Sequence, residues 1–220
     1  MNLMEEFTLL AFDDDGRKIV DSTRLDYTLG GAILLELALA ERIEVVDKKV
    51  VVRDPSATGD ELLDQSLTRI ATDTKSRKPG HWVQKFAKGT RQRVLDDLVA
   101  AGVLRAEEGK FLIIFPQTRY PSAAGGEPVV ETEARARMRA AIEGTGEADP
   151  RTSALCALVA ASDTSRKVFA DLDRKLVKRR LKEISEGAWA AAAVKRAIEE
   201  VFAAVAASGA AVAAAAAAGS

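Results

Sequence analysis

The sequence predicts a mainly α-helical single domain, a central helix bundle with surrounding amphipathic helices and a few short β-hairpins. Three observations carry this. Thr58-Gly59-Asp60-Glu61 has the spacing of a capping box, Asp149-Pro150 is a well-formed helix start, and Ala32 to Ala40 (AILLELALA) is apolar almost all round, as a buried helix is. With 220 residues, 47% hydrophobic and 30% charged, the chain is long enough for one sizeable core.

Taken in order, Leu3 to Phe12 is a short apolar segment, and Asp13-Asp14-Asp15-Gly16 forces a turn before Lys18 to Val20, so a small hairpin is expected there. After the buried helix at Ala32 to Ala40, Ile43 to Val46 and Lys49 to Arg53 flank Asp47-Lys48 as a second hairpin. The capping box at Thr58 starts a helix that buries Leu63, Leu67 and Ile70. From Thr90, the positions Val94, Leu95, Leu98 and Val99 share one helical face, and Gly102 supplies a residue able to take positive φ past the helix end.

A third hairpin follows, with Glu107 to Gly109 as its turn and Lys110 to Phe115 as its return strand, ended by Pro116. Ser122 to Pro128 reads as a loop. Asp149 as N-cap and Pro150 at the first helical position, where its missing N–H costs nothing, open a run of helices over Arg151 to Ala161, Ser165 to Ile184 and Ala188 to Ala206. The alanine-rich stretch from Ala207 to Ser220 has little to bury and is expected to be disordered, which puts the domain at residues 1–206.

The chemistry is bounded by scarcity. One histidine, His81, and one cysteine, Cys156, cannot assemble a His/Cys zinc cluster, and no phosphate-loop, dinucleotide or nucleophile-elbow motif is present. No cofactor and no catalytic centre are expected. Cys156, between Leu155 and Leu158 in a helical pattern, reads as a small core residue in a reducing cytoplasm. The acidic start Met1 to Glu6 does not read as a secretory signal, and the mostly alanine stretch from Val201 onward inserts poorly into lipid. A cytoplasmic protein is expected.

The net charge is −1, yet Lys75 to Arg93 holds seven basic residues and no acid, with Trp82 and Phe86 interleaved. Thr164 to Lys182 holds eight basic residues against Asp171 and Asp173, so the remainder of the chain carries −14. On this second stretch Arg174, Lys178 and Lys182 recur every four residues and share a face with Lys175 and Arg179, while Leu172, Leu176 and Leu181 take the other side. Such charge suits an anionic lipid surface or a phosphate-bearing polymer.

Several strings are specific. Asn2 to Leu10 (NLMEEFTLL), Leu29 to Ile43 (LGGAILLELALAERI), Ser56 to Leu67 (SATGDELLDQSL) and Arg91 to Leu104 (RQRVLDDLVAAGVL), followed by FLIIF and VKRAIEEVFAAVAA, occur in an order and spacing that resembles the Golgi phosphoprotein 3 family from Leu3 to about Ala206. The resemblance implies a compact helical domain without catalytic activity. Eukaryotic members are peripheral membrane proteins that bind phosphatidylinositol 4-phosphate on Golgi membranes and the cytosolic tails of glycosyltransferases. The chain looks like the shorter prokaryotic branch, lacking the long polar N-terminal extension, and its Ala/Arg/Val-rich composition suits a GC-rich bacterial genome.

By the same resemblance the family's phosphate-binding arginine falls on Gly30 and its membrane-facing tryptophan near Asp21, so both roles are missing. Its two later arginines fall on Arg91 and Lys88. The resulting expectation is a peripheral protein on the cytosolic membrane face. It holds anionic lipid head groups through Lys85, Lys88, Arg91 and Arg93, with Arg174, Lys175, Lys178 and Arg179 as a second patch.

The family's hairpin is apolar and implicated in membrane insertion and self-association, which assigns those roles to Phe111, Leu112, Ile113, Ile114 and Phe115. Five consecutive apolar residues do not alternate, so in a strand at least two of them point away from the packed face. Partners expected are anionic lipids, a second copy of the chain, and cytosolic tails of membrane enzymes. A nucleic-acid reading, in which the helix ending at Gly102 and its hairpin form a winged helix, ranks lower because the wing tip would be Glu107-Glu108.

Overall fold

The computed structural model describes residues 1–111, 115–144, 148–186 and 192–218. It is 63% helical, with two two-stranded antiparallel sheets, so the expected fold class holds. The helices and strands run α1 Leu3–Leu10, α2 Ser22–Leu39, β1 Ile43–Val46, β2 Lys49–Val52, α3 Glu61–Ala71, α4 Pro79–Ala100, β3 Glu107–Phe111, β4 Phe115–Arg119, α5 Val129–Glu143, α6 Pro150–Ala161, α7 Ser165–Val168, α8 Arg174–Glu186 and α9 Ala192–Ala218.

Helix α2 is the centre, in contact with α1, α3, α4, α6 and α9. It begins well before Ala32, because the Asp21 carboxylate accepts hydrogen bonds from the Thr23 and Arg24 backbone N–H groups and caps it. Leu25, Leu29, Ile33 and Leu37 are fully buried along it. Its two consecutive glycines face different neighbours. A Cβ on Gly30 would lie 2.3 Å from the Val83 carbonyl oxygen of α4, and one on Gly31 would lie 2.7 Å from a methyl of Val205 on α9. Both helices therefore approach α2 closely only because these side chains are missing.

The first segment corrects the expected hairpin. Leu3–Leu10 is a helix, since the Asn2 side chain accepts from the Glu5 N–H while the Glu5 carboxylate accepts from the Asn2 N–H, a reciprocal cap that outweighs the strand-like look of a short apolar run. Only the turn survives, as the Phe12–Lys18 bridge across Asp13 to Gly16. The second hairpin is as expected, with Asp47 and Lys48 both at positive φ.

The cap of α3 shifts by two residues. Asp60, not Thr58, accepts from the N–H groups of Leu62 and Leu63, and Thr58 donates both its N–H and its hydroxyl to Asp64. Gly59, at φ 88°, turns the chain between them and places Thr58 too early to cap. Leu63, Leu67 and Ile70 are buried as expected.

Helix α4 starts at Pro79 rather than Thr90, with proline in the first turn. Its halves meet at a kink where Lys88 leaves helical geometry and Gly89 takes φ 82°. Trp82 and Phe86, 1% and 3% exposed, stack on each other in the core, so they are not surface aromatics.

In the third hairpin Glu107 to Gly109 belongs to strand β3, not to a turn, and Pro116 lies inside β4. The register pairs Glu107 with Arg119 and Phe111 with Phe115, so residues of unlike charge stand opposite each other at one end. The expected return strand Lys110 to Phe115 is thereby overturned, and so is the argument from its alternation. Leu112, Ile113 and Ile114 lie outside the described residues.

Helix α5 has no counterpart among the expected elements. It buries Ala134, Met138 and Ile142 at helical spacing. The Arg135 guanidinium bonds Glu131 at 2.7 Å, Glu127 at 2.5 Å and the Val168 carbonyl at 2.9 Å, fastening α5 to α7. Helix α6 is capped by Asp149 with Pro150 following, as expected. Cys156 is wholly buried within it, and burial pushes the thiol up to about 12, which suits a core residue and not a nucleophile.

The expected helix Ser165 to Ile184 is broken. Helix α7 ends at Val168, Phe169 turns into the core, and Asp173 opens α8 by accepting from the Leu176 N–H. Helix α9 continues beyond Ala206, where the sequence suggests that order ends. Alanine is the best helix former, and buried Gly209 packs against Arg24 of α2.

In Gly30→Ala the new methyl meets backbone of α4, so urea unfolding should show a loss of about 2–3 kcal/mol, whereas Gly31→Ala meets only the side chains of Val205, Val201 and Leu158 and regains helix propensity, and should lose no more than about 1 kcal/mol. Equal losses would place the tight crossing elsewhere.

Glu131 is buried, and desolvation raises its carboxyl from 4.5 to about 7 despite Arg135. The folded state therefore holds this proton more tightly than the unfolded chain does, and its stabilising effect is full below about pH 4.5 and lost as pH rises through about 7. Glu131→Gln should remove a fall of about 1–3 kcal/mol between pH 5 and pH 8, measured as the pH profile of unfolding free energy.

Candidate functional site: the basic surfaces

The first basic stretch has no acid within it, but the fold brings acids to it. Arg91 reaches Asp26 of α2 at 3.4 Å, Arg93 reaches Glu61 of α3 at 2.6 Å, and Arg77 reaches Asp73 at 3.4 Å. Lys85 lies 4.8 Å above the Trp82 ring, a cation–π contact, and Lys88 is exposed at the α4 kink. Lys88 and Arg93 share a cleft of about 190 Å³ with Arg69, Gln65 and Ser66, whereas Arg91 faces α2. The four residues grouped by the sequence are thus divided between two faces, and two of them are already paired.

On the α2 side, Arg91 sits with Lys18, Asp21 and Asp26. Burial, aided by the Arg91 charge, pulls the Lys18 ammonium below the usual lysine range. Burial also pushes the Asp26 carboxyl up, with Arg91 and Lys18 opposing. Asp21, where the resemblance puts a membrane-facing tryptophan, is the α2 cap and occupies the anion-attracting end of that helix. Gly30, where it puts a phosphate-binding arginine, is pressed against the α4 backbone and has no room for any side chain.

The second stretch keeps its charge. Val177, Leu181 and Ile184 bury one side of α8, and Arg174, Lys175, Lys178 and Lys182 are exposed on the other. Among the described residues none of these four has an ion-pair partner, and neither has Arg166 on α7. Arg179 lies outside this group, 3.7 Å from Glu183. Between α6, α7, α8 and α9 lies a cavity of about 990 Å³, floored by Phe169, Val177, Leu181 and Phe202 and rimmed by Arg166, Arg174, Lys175, Lys178 and Lys182.

Sequence reasoning missed Arg166 and this cavity, because both depend on the break between α7 and α8. The one signal for that break is Asp171 and Asp173 inside a basic run, where Asp173 is a helix cap. Two contacts join this region to the start of α2. Lys167 donates to the Ile19 carbonyl at 2.5 Å, and Arg24 pairs with Asp163 at 3.4 Å.

Among the described residues no group of histidine, cysteine and carboxylate side chains could hold a metal ion, and no helix is long and apolar enough to cross a membrane. Comparison with known proteins gives the chain a lineage. It is similar to vacuolar protein sorting-associated protein 74 of Eremothecium gossypii, 32% identical over 151 residues, with 56% of this chain and 44% of that protein covered. The chain therefore spans under half the length of that relative. The profile described as Golgi phosphoprotein 3 (GPP34) matches residues 3–201, nearly the whole helical domain, and the chain belongs to the Golgi phosphoprotein 3 family.

Proposed function

We propose that the chain is a non-catalytic peripheral membrane protein that holds anionic phospholipid head groups on the basic face of α8 and α7. The observation that carries this is the set of five exposed cations, Arg166, Arg174, Lys175, Lys178 and Lys182, without an ion-pair partner among the described residues. A surface charge that the fold does not neutralise is the one available to a partner. Each such side chain contributes on the order of 1 kcal/mol near an anionic leaflet at physiological salt.

Lys85 and Lys88 add exposed charge, while Arg91 and Arg93 are held by Asp26 and Glu61 and contribute less. The apolar sequence Phe111-Leu112-Ile113-Ile114-Phe115, whose first and last residues belong to the strands of the third hairpin, is the segment proposed to insert or to self-associate. Cytosolic tails of membrane enzymes and a second copy of the chain remain the proposed protein partners, at the cytoplasmic face of a membrane. The nucleic-acid reading loses one objection, since Glu107-Glu108 is not a wing tip, but its two arginines on α4 are the paired ones.

Sedimentation with phosphatidylglycerol vesicles tests the reading. Arg174→Gln, Lys175→Gln and Lys178→Gln together should weaken binding roughly a hundredfold if the three act independently. Lys85→Gln with Lys88→Gln should weaken it less. Unchanged sedimentation of the triple variant, or tighter binding to duplex DNA than to vesicles at equal salt, overturns the assignment. With Asp21 and Gly30 at the positions the resemblance makes selective, phosphatidylinositol 4-phosphate should be preferred little over other lipids of equal charge.

A further inference from the structure

The cavity between α6, α7, α8 and α9 is more than a charged surface. Val177, Leu181 and Phe169, each under 5% exposed, form an apolar floor with half-buried Phe202 and Ala160. Its volume of about 990 Å³ lies at the upper end of the range of roughly 300–1,000 Å³ typical of small-molecule sites. Five cations stand on the rim, against Asp163, which is paired with Arg24, and Glu199, which has its own partner.

We propose that this cavity binds a single anionic acyl chain, with the hydrocarbon on the floor and the carboxylate or phosphate among Arg166, Arg174, Lys178 and Lys182. The occupant follows from two complementarities. The floor offers mainly apolar contact, and on the rim five cations outnumber Asp163, which is paired with Arg24, and Glu199, which has its own partner, so an acidic end is favoured. The walls are helices and present no strand edge on which an extended peptide could hydrogen-bond. An acyl chain has no backbone to satisfy.

The inference takes its ligand class from the membrane reading but can fail apart from it, because the acyl site is tested with monomeric ligand and no bilayer. The full chain is titrated with a dansyl-labelled fatty acid below its micellar concentration, and oleate and oleyl alcohol are used as competitors. The expected result is saturable binding of one probe per chain, displaced by oleate at least tenfold more effectively than by the uncharged alcohol.

Ala160→Phe, which fills the floor, should weaken probe binding at least tenfold while leaving vesicle sedimentation unchanged. Arg166→Gln with Lys182→Gln, both at exposed positions, should weaken it about tenfold even if Ala160→Phe fails to fold. Absence of saturable binding, equal competition by the alcohol, wild-type affinity in the rim variant, or capture of an acidic amphipathic peptide with oleate inert would overturn the proposal.

Discussion

The close approach of two helices to Gly30 and Gly31 is the constraint on which the rest of this domain depends. Successive residues on a helix point about 100° apart, so two adjacent glycines open two separate faces of α2. One face takes the α4 backbone at Val83, and the other takes Val201 and Val205 of α9. Each glycine sacrifices roughly 1 kcal/mol of helix propensity relative to alanine, and the burial of Leu29, Ile33, Trp82 and Val205 that the crossings permit exceeds that loss. The same crossing leaves no room for a side chain at Gly30.

Around this crossing the fold places its charges in pairs. Glu36 on α2 accepts from the first N–H of α1 and from Arg151 of α6, and Glu6 of α1 lies between Arg151 and Arg137 of α5. These buried carboxylates join four helices, and their guanidinium partners reach partly into solvent, which lessens the desolvation penalty of a fully buried pair. Asp26 and Glu61 do the same for Arg91 and Arg93 at the surface. Much of the acid that balances the two basic stretches is therefore engaged in the architecture.

What could be read from the sequence were features whose cause lies within a few residues. The Asp149-Pro150 start, the Asp47-Lys48 reversal and the left-handed Gly102 depend on local backbone chemistry, and the structure has all three. The cap at Asp60 instead of Thr58, the helix at Leu3 and the kink at Gly89 were misjudged or missed because two local solutions competed. Helix α5 escaped because Val129 to Glu143 is dense with charge, and its apolar face is only Ala134, Met138 and Ile142. The sequence offers Gly109 as a turn residue, whereas the structure sets it in β3 opposite Gln117, a pairing that no local signal at Gly109 announces.

The candidate site divides along the same line. Counting charge along the chain ranks Lys75 to Arg93 first, since it contains no acid, and Thr164 to Lys182 second. Tertiary pairing reverses the order. A residue's contribution to the outer field depends on the charges within about one Debye length of it in space, roughly 8 Å at physiological salt, and not on its sequence neighbours. Arg91 and Arg93 have carboxylates at contact distance, from α2 and α3. Of the two acids in the second stretch, Asp171 is held by Arg139 of α5, and Asp173 caps α8 without an ion-pair partner among the described residues. Arg174, Lys175, Lys178 and Lys182 are left without an ion-pair partner among the described residues, beside an apolar floor. A charged rim over an apolar floor answers salt and hydrocarbon at once, and the ligand proposed for it carries both an acid and a tail.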